Sequence, residues 1–236
     1  MCGRFVLARA DADLVPLFDV DEVDSGLPGP SHNIAPSEPI RLVAESAKEG
    51  HAGRRLAAAR WGLVPAWYAS PGAGPTPFNA RIEKLTTSGM YRGAFARRRG
   101  VVPADGFFER SREGRRPSYY VTPEDGSALA LAALYEWWRD RTRPDDDPAA
   151  WLLSATVVTH PAQLAMVPVH DREPLYLAPD LVADWLDPGA PGTPALLAAV
   201  EQASAAVAAG LEFRPVSAAW LPTTPGKKRD DATLIA

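Results

Sequence analysis

The stretch Val101-Val102-Pro103-Ala104-Asp105-Gly106-Phe107-Phe108-Glu109 decides the architecture. Its two apolar runs, Val101–Pro103 and Phe107–Glu109, are too short for helices, and the pattern continues through Ser118–Val121, Ala128–Tyr135 and Trp151–Thr159. Turn signals at Arg112-Glu113-Gly114, Glu124-Asp125-Gly126 and Arg143-Pro144-Asp145 bound these runs, which predicts consecutive, largely antiparallel strands. Upstream, Ile40–Ala44 reads as a strand and Asp11–Phe18 as a short helix. Helices are expected over Ser88–Arg98, Asp180–Leu186 and Pro194–Ala209, the last closed by Gly210 as a C-terminal cap. The acidic stretch Asp140–Pro148 and the segment Pro188–Pro194 read as surface loops. Without an internal repeat or a long linker, residues 1–236 are expected to form one α+β domain.

Across 236 residues, 46% hydrophobic and 23% charged side chains lie near the globular average and exclude a disordered or fibrous chain. Proline, at 24 residues, is about twice its ordinary usage, which fits short elements joined by loops. The longest uncharged stretch, Pro148–His170, holds Pro161, Pro168 and His160 and cannot run as an apolar spanning helix. The first residues lack the apolar run of a secretory signal. A soluble, cytoplasmic protein with no membrane partner is expected.

The net charge of −4 argues against a surface that coats nucleic acid throughout. The charge is uneven, however: Arg81–Arg116 carries ten basic and four acidic side chains, a local +6 that leaves −10 for the remainder. Such a segment fits one local anion-facing surface. The alternative is an ordinary solvated face in an arginine-rich chain, where Arg outnumbers Lys 21 to 4.

One cysteine permits neither an intrachain disulfide nor a Cys-rich zinc site, and no ligand cluster of His, Cys and acids is spaced for a metal, so no cofactor is expected. That cysteine is Cys2, directly after the initiator Met. A small second residue normally allows removal of the initiator, which leaves Cys2 with an α-amine and a thiol on adjacent carbons. Their ordinary pKa values, about 8 and about 8.5, make both reactive forms accessible near neutral pH. An amine condenses with an aldehyde to an imine, and the neighbouring thiol closes on it to a five-membered thiazolidine, which an internal cysteine cannot do. The plain alternative is a small buried hydrophobe.

Six local patterns follow in order: Met1-Cys2-Gly3-Arg4-Phe5, His32-Asn33-Ile34-Ala35-Pro36, Arg60-Trp61-Gly62-Leu63-Val64-Pro65-Ala66-Trp67, Phe78-Asn79-Ala80-Arg81-Ile82-Glu83, Ala104-Asp105-Gly106-Phe107-Phe108-Glu109 and His170-Asp171-Arg172-Glu173-Pro174. The set closely resembles the SOS response-associated peptidase family, proteins that process abasic sites and crosslink to single-stranded DNA. The resemblance runs from Cys2 to about Ser217. It implies a single α+β domain with a largely antiparallel, barrel-like sheet core flanked by short helices. It also implies that Cys2 is the nucleophile, that Asn79 orients it, that Glu109 shuttles protons during imine formation and closure, and that His170 acts as acid/base on the sugar hydroxyl. Arg4, Arg81 and Arg172 would clamp phosphates, Pro36, Trp67 and Tyr68 would wedge between or stack on bases, and Thr159 would line the site. The implied partner is single-stranded DNA containing abasic sites, and a monomer is expected.

Read singly, these residues have plainer roles: Asn79 as a turn residue, Glu109 as the solvent-facing member of a strand, His170-Asp171-Arg172 as a surface salt-bridge patch. Trp61 reads as core, and His32, His51 and His160 as structural. Two other functions stay open: a thiol peptidase using an N-terminal cysteine, and a non-enzymatic single-strand binding module. The chain also departs from the family pattern. Arg110 follows Glu109 where Trp is usual, Tyr68 replaces the second of a Trp pair, and Gly89 stands in place of an Arg. Glu173 replaces an apolar or basic residue and is expected to oppose positive charge along the DNA path, with Arg92 as a compensating charge.

Overall fold

The computed structural model describes residues 2–47, 53–111, 117–221 and 228–235. In chain order its elements are β1 (Phe5–Leu7), α1 (Asp11–Leu17), β2 (Glu22–Val23), β3 (Ser31–Ile34), β4 (Pro39–Ser46), β5 (Gly53–Trp61), β6 (Asn79–Arg81), α2 (Arg92–Arg97), β7 (Arg99–Ala104), β8 (Gly106–Arg110) and β9 (Ser118–Pro123). There follow β10 (Leu129–Arg139), β11 (Trp151–Pro161), β12 (Arg172–Pro174), α3 (Val182–Leu186), α4 (Pro194–Ala209) and β13 (Leu211–Val216), with short 3-10 turns between. The expected strands and helices are present, but the helix expected over Ser88–Arg98 is shortened to Arg92–Arg97, and that expected over Asp180–Leu186 is helical over Val182–Leu186 after a 3-10 turn at Pro179–Leu181. The turn at 112–114 and His51 lie outside the described residues.

Antiparallel pairing runs β11-β10-β7-β4-β5, and a parallel contact of β5 with β11 (Ser154 opposite Arg60, Ala155 opposite Trp61) closes these five strands into a barrel. Strand β6 adds to β11 in parallel, with Asn79 opposite Val157 and Arg81 opposite Thr159. A second sheet, ordered β13-β9-β8-β1-β3, is antiparallel throughout. The fold is thus α+β, largely antiparallel and barrel-like, with short helices outside.

Strand alternation sorts the second sheet into two faces. Phe5 and Phe107 enter the main core, where Phe5 meets Trp61 edge-on at 5.0 Å and Phe107 lies 6.4 Å from Tyr176. Val6 and Phe108 face the other way, into a smaller cluster with Tyr120, Trp220 and Leu234, where Phe108 stacks on Trp220 at 5.3 Å. Gly106 permits this layering, because a Cβ there would stand 2.5 Å from the Val121 carbonyl oxygen and 2.6 Å from the Tyr120 ring.

Three strands escape local reading. Gly53–Trp61 is rich in Ala and Arg, and it is a strand because β4 pairs along its whole length from Pro39–Arg60 to Ser46–Gly53. Phe5–Leu7 and Asn79–Arg81, three residues each, exist only through their partners. Gly210 does cap α4, but at φ −93° rather than in the left-handed form usual for glycine. The basic segment is not one surface. Arg99 is buried and donates to the carbonyl oxygens of Phe95, Ala96, Trp185, Asp187 and Ala190, and Arg98 pairs with Glu136 at 2.8 Å.

Candidate functional site

The antiparallel register of β1 with β8, Phe5 opposite Phe107 and Val6 opposite Gly106, continues outward through an Arg4 carbonyl that accepts from the Phe108 amide at 2.9 Å. That register carries Cys2 alongside the end of β8, where Glu109 sits. Glu109 shares the inward face of Phe107, so its carboxylate is buried rather than solvent-facing. From the opposite wall, β6 brings Asn79, whose Nδ2 donates to the Cys2 carbonyl oxygen at 2.8 Å. The Asn79 Oδ1 is buried and has no hydrogen-bond partner among the described residues. Cys2, Asn79 and Glu109 therefore converge where the second sheet meets the barrel. Burial pushes the Cys2 thiol well above its ordinary pKa and the Glu109 charge pushes it further, while the Arg4 amide pulls the other way.

A buried polar group lies behind Cys2. Tyr176 is fully buried and its phenol is raised well above its ordinary value, first by burial, then by the charges of Glu173 and Cys2. Glu173, 1% exposed, accepts from the Gln163 amide at 2.8 Å, and burial pushes it up to about 7. His160 lies 3.7 Å from Glu173 and 3.8 Å from Glu201, and burial pushes it down to about 4. The expectation that Glu173 opposes positive charge on a DNA path is thereby corrected. Its place on β12, opposite His160 of β11, turns the carboxyl into the interior.

Arg172 sits differently from what an open phosphate clamp requires. Its guanidinium grips Glu83 through two bonds, at 2.8 and 3.0 Å, and donates to the Thr159 carbonyl oxygen at 2.6 Å and to Thr159 Oγ1 at 3.4 Å. Thr159 is buried, and its hydroxyl also reaches the Ala80 carbonyl oxygen at 3.4 Å. The hydrogen bonds from Arg172 hold the Glu83 carboxyl below its ordinary pKa, and nearby Arg81, exposed at the end of β6, acts in the same direction. His170 is mostly covered. Its Nδ1 is 3.1 Å from the Arg172 amide and 2.9 Å from Asp171 Oδ1, so that nitrogen either accepts from the amide or donates to the carboxylate.

Around Arg4 a further group forms. Arg4 Nη1 donates to Asn33 Oδ1 at 3.0 Å, and burial lowers the guanidinium pKa while Glu38 opposes this. Pro36 occupies a tight turn from Ala35 to Glu38, closed by the Glu38 amide on the Ala35 carbonyl at 3.1 Å, with Ser37 at φ +73°. Gly62, at φ +136°, turns the chain from β5 into the loop that carries Trp67 and Tyr68. Trp67 is 60% exposed and meets Tyr68 edge-on at 6.3 Å. Trp138 Nε1 fixes that loop by donating to the Tyr68 carbonyl oxygen at 2.7 Å. Gly89 faces open space, and Arg92 and Arg110 are exposed.

Sequence reading assigned no role to Asn33, Glu83, Glu38 or Tyr176. The first three lay inside or beside recognised motifs, which was the available signal. Tyr176 gave none: its place in the interior is set by a bridge to Leu131 of β10 and by its amide donating to Ser204 Oγ of α4 at 3.0 Å.

The sequence model described as SOS response associated peptidase (SRAP) matches residues 1–220. The chain is 32% identical over 191 residues to the abasic site processing protein YoaM of Bacillus subtilis, covering 80% of each chain. It is 29% identical over 192 residues to the abasic site processing protein YedK of Escherichia coli, covering 79% of each. Among solved structures, a protein from Bacteroides thetaiotaomicron superimposes with a TM-score of 0.78 at 18% identity, covering 99% of this chain and 98% of that one.

Proposed function

Because the chain belongs to the SOS response associated peptidase family, we propose that it acts on abasic sites in single-stranded DNA, trapping them covalently through Cys2 once Met1 is removed. The observation that carries this reading is the convergence of Cys2, Asn79 and Glu109: the only cysteine, held by its carbonyl, beside a buried carboxylate.

The α-amine of Cys2 attacks the aldehyde carbon of the ring-opened sugar, and the resulting carbinolamine loses water to give an imine. The thiol sulfur then bonds to the imine carbon while its proton passes to the imine nitrogen, closing a thiazolidine. The net change is aldehyde plus aminothiol to thiazolidine plus water, with no oxidant or metal in the balance. A thiol whose pKa is raised by burial needs a base at the moment of closure, and Glu109 is placed to relay that proton. The buried Oδ1 of Asn79, without a partner among the described residues, is suited to accept from the freed amine, and His170 to exchange a proton with the sugar hydroxyl. Arg4 and Arg81 contact flanking phosphates, Trp67 and Tyr68 stack on bases, and Pro36 wedges between them. Arg172 and Thr159 hold the wall formed by β6, β11 and β12.

The test is a denaturing gel with abasic, undamaged and borohydride-reduced oligonucleotides. Wild type should give an adduct on the abasic strand alone, without added reductant. Cys2→Ser, which keeps the amine, should yield a stable adduct only when borohydride is present. Equal adduct from both proteins, or adduct on the reduced strand, overturns the mechanism. Association that vanishes under denaturing conditions and weakens steeply with salt favours a pure binding module.

A further inference from the structure

We infer that the segment Lys228–Asp230, which lies beyond the family-matched residues 1–220, is a positioning strap for the DNA-contacting face, acting through Asn33 on Arg4 and through Glu38 on the Pro36 turn. This inference rests on the single-strand reading above.

The buried Asn33 amide is saturated by the C-terminal region. Its Nδ2 donates to the carbonyl oxygens of Arg229 at 2.7 Å and Trp220 at 2.9 Å, which aims Oδ1 at Arg4. An amide with both hydrogens engaged cannot flip, so the guanidinium it receives has one fixed acceptor. Lys228 Nζ donates to the Asn33 carbonyl oxygen at 2.8 Å and to Glu38 Oε2 at 2.5 Å. The same Glu38 oxygen accepts from the Ala35 amide at 2.9 Å and thereby braces the turn in which Ser37 takes a left-handed φ. Lys228 also neutralises the carboxylate that acts on Arg4, and so leaves the Arg4 charge available to an anion.

The strap is itself anchored. Asp230 accepts from the His32 amide at 2.5 Å and from Ser31 Oγ at 2.7 Å, occupying the free edge of β3, the terminal strand of its sheet. A few residues on, Leu234 is buried against Val6 and Phe108, on the reverse side of the strands that carry Arg4 and Glu109.

The deciding variant is Asp230→Ala in the full chain, because charge alone and the strap predict opposite signs. Removing an acidic side chain should strengthen binding to a polyanion if only net charge matters. Loss of the anchor should instead weaken binding of an abasic-site single strand roughly tenfold at low salt, about one charged hydrogen bond, and reduce the salt slope by about 0.7. Arg4→Ala should do the same, and the double variant Arg4→Ala with Asp230→Ala should lose less than the sum of the two, the excess over either alone being the share carried by the Pro36 turn. Should Asp230→Ala fail to fold by circular dichroism, Lys228→Met carries the test: its loss is partly absorbed by Arg4→Ala if the strap acts as inferred and is fully additive if Lys228 meets phosphate directly. Binding as tight as wild type in Asp230→Ala, or full additivity, overturns the strap while wild type still crosslinks. A wild type that neither binds nor crosslinks overturns the functional reading, and the strap with it.

Discussion

Asn79 Nδ2 donates to the carbonyl oxygen of Cys2 at 2.8 Å, tying Cys2 to a strand of the opposite wall. That bond fixes the backbone of Cys2, and Asn79 stands where β6 pairs with β11 in parallel. Asn79→Ala should cost only about 1 kcal/mol of stability, the usual worth of one such bond. Adduct formation should slow at least tenfold, because the reacting geometry loosens. Asn79→Asp should be slower still, since a carboxylate not only lacks the donor but repels the carbonyl oxygen it faces. Thermal melts together with single-turnover gels separate the two effects, and parallel losses of stability and rate would argue against positioning.

Glu109→Gln separates the two consequences of one carboxylate. Adduct formation should fall roughly 10²–10⁴-fold, as expected when a positioned proton carrier is lost. The thiol itself should titrate at lower pH, because the Glu109 charge is one of the causes holding it up. Iodoacetamide alkylation followed against pH reads that shift. An unchanged alkylation profile would mean that the carboxylate does not face the thiol.

Glu173 gives a pH signature of stability. Burial holds it at about 7 against an ordinary 4.5, so between those values the folded chain keeps a proton that the unfolded chain has released. Stability therefore falls as pH rises through that window, by up to about 1.4 kcal/mol per unit, and the deficit is constant above it. His160, held at about 4 against 6.5, acts in the opposite direction and loses stability as pH falls through its own window. Among the described residues, the groups acting on this pair are Glu201, Arg172, Glu83 and Tyr176. Glu173→Gln should raise Tm at pH 8 more than at pH 4.5, leaving the His160 limb; an equal shift at both would exclude a buried, protonated carboxyl.

Arg81 and Arg172 should behave differently although both lie in recognised motifs. Arg81→Ala removes an exposed charge and should reduce the salt slope of single-strand binding by about 0.7 with little change in Tm. Arg172→Ala breaks the paired bonds to Glu83 and leaves the Thr159 carbonyl without its guanidinium donor, so it should lower Tm and move the salt slope less. Equal salt slopes for the two variants would contradict this assignment.

The run of antiparallel strands from Val101 to Thr159 is legible in the chain, because alternation and turn residues are local properties, and short motifs single out Cys2, Asn79 and Glu109, which the fold brings together. The sequence also marked Trp61 as core. Tertiary structure alone decided that the Ala-rich Gly53–Trp61 is a strand, since its partner β4 supplies the ladder that its own residues do not favour. It decided, too, that Glu109 and Glu173 are interior, that Arg99 serves buried carbonyls, and that Arg172 holds Glu83. A charge carries no local sign of which face its strand will bury, and that choice is made by register with residues scores of positions away. The tie from Asn33 to Arg229, 196 residues apart, is of the same kind. Only closure of the chain on itself brings such groups within hydrogen-bond reach.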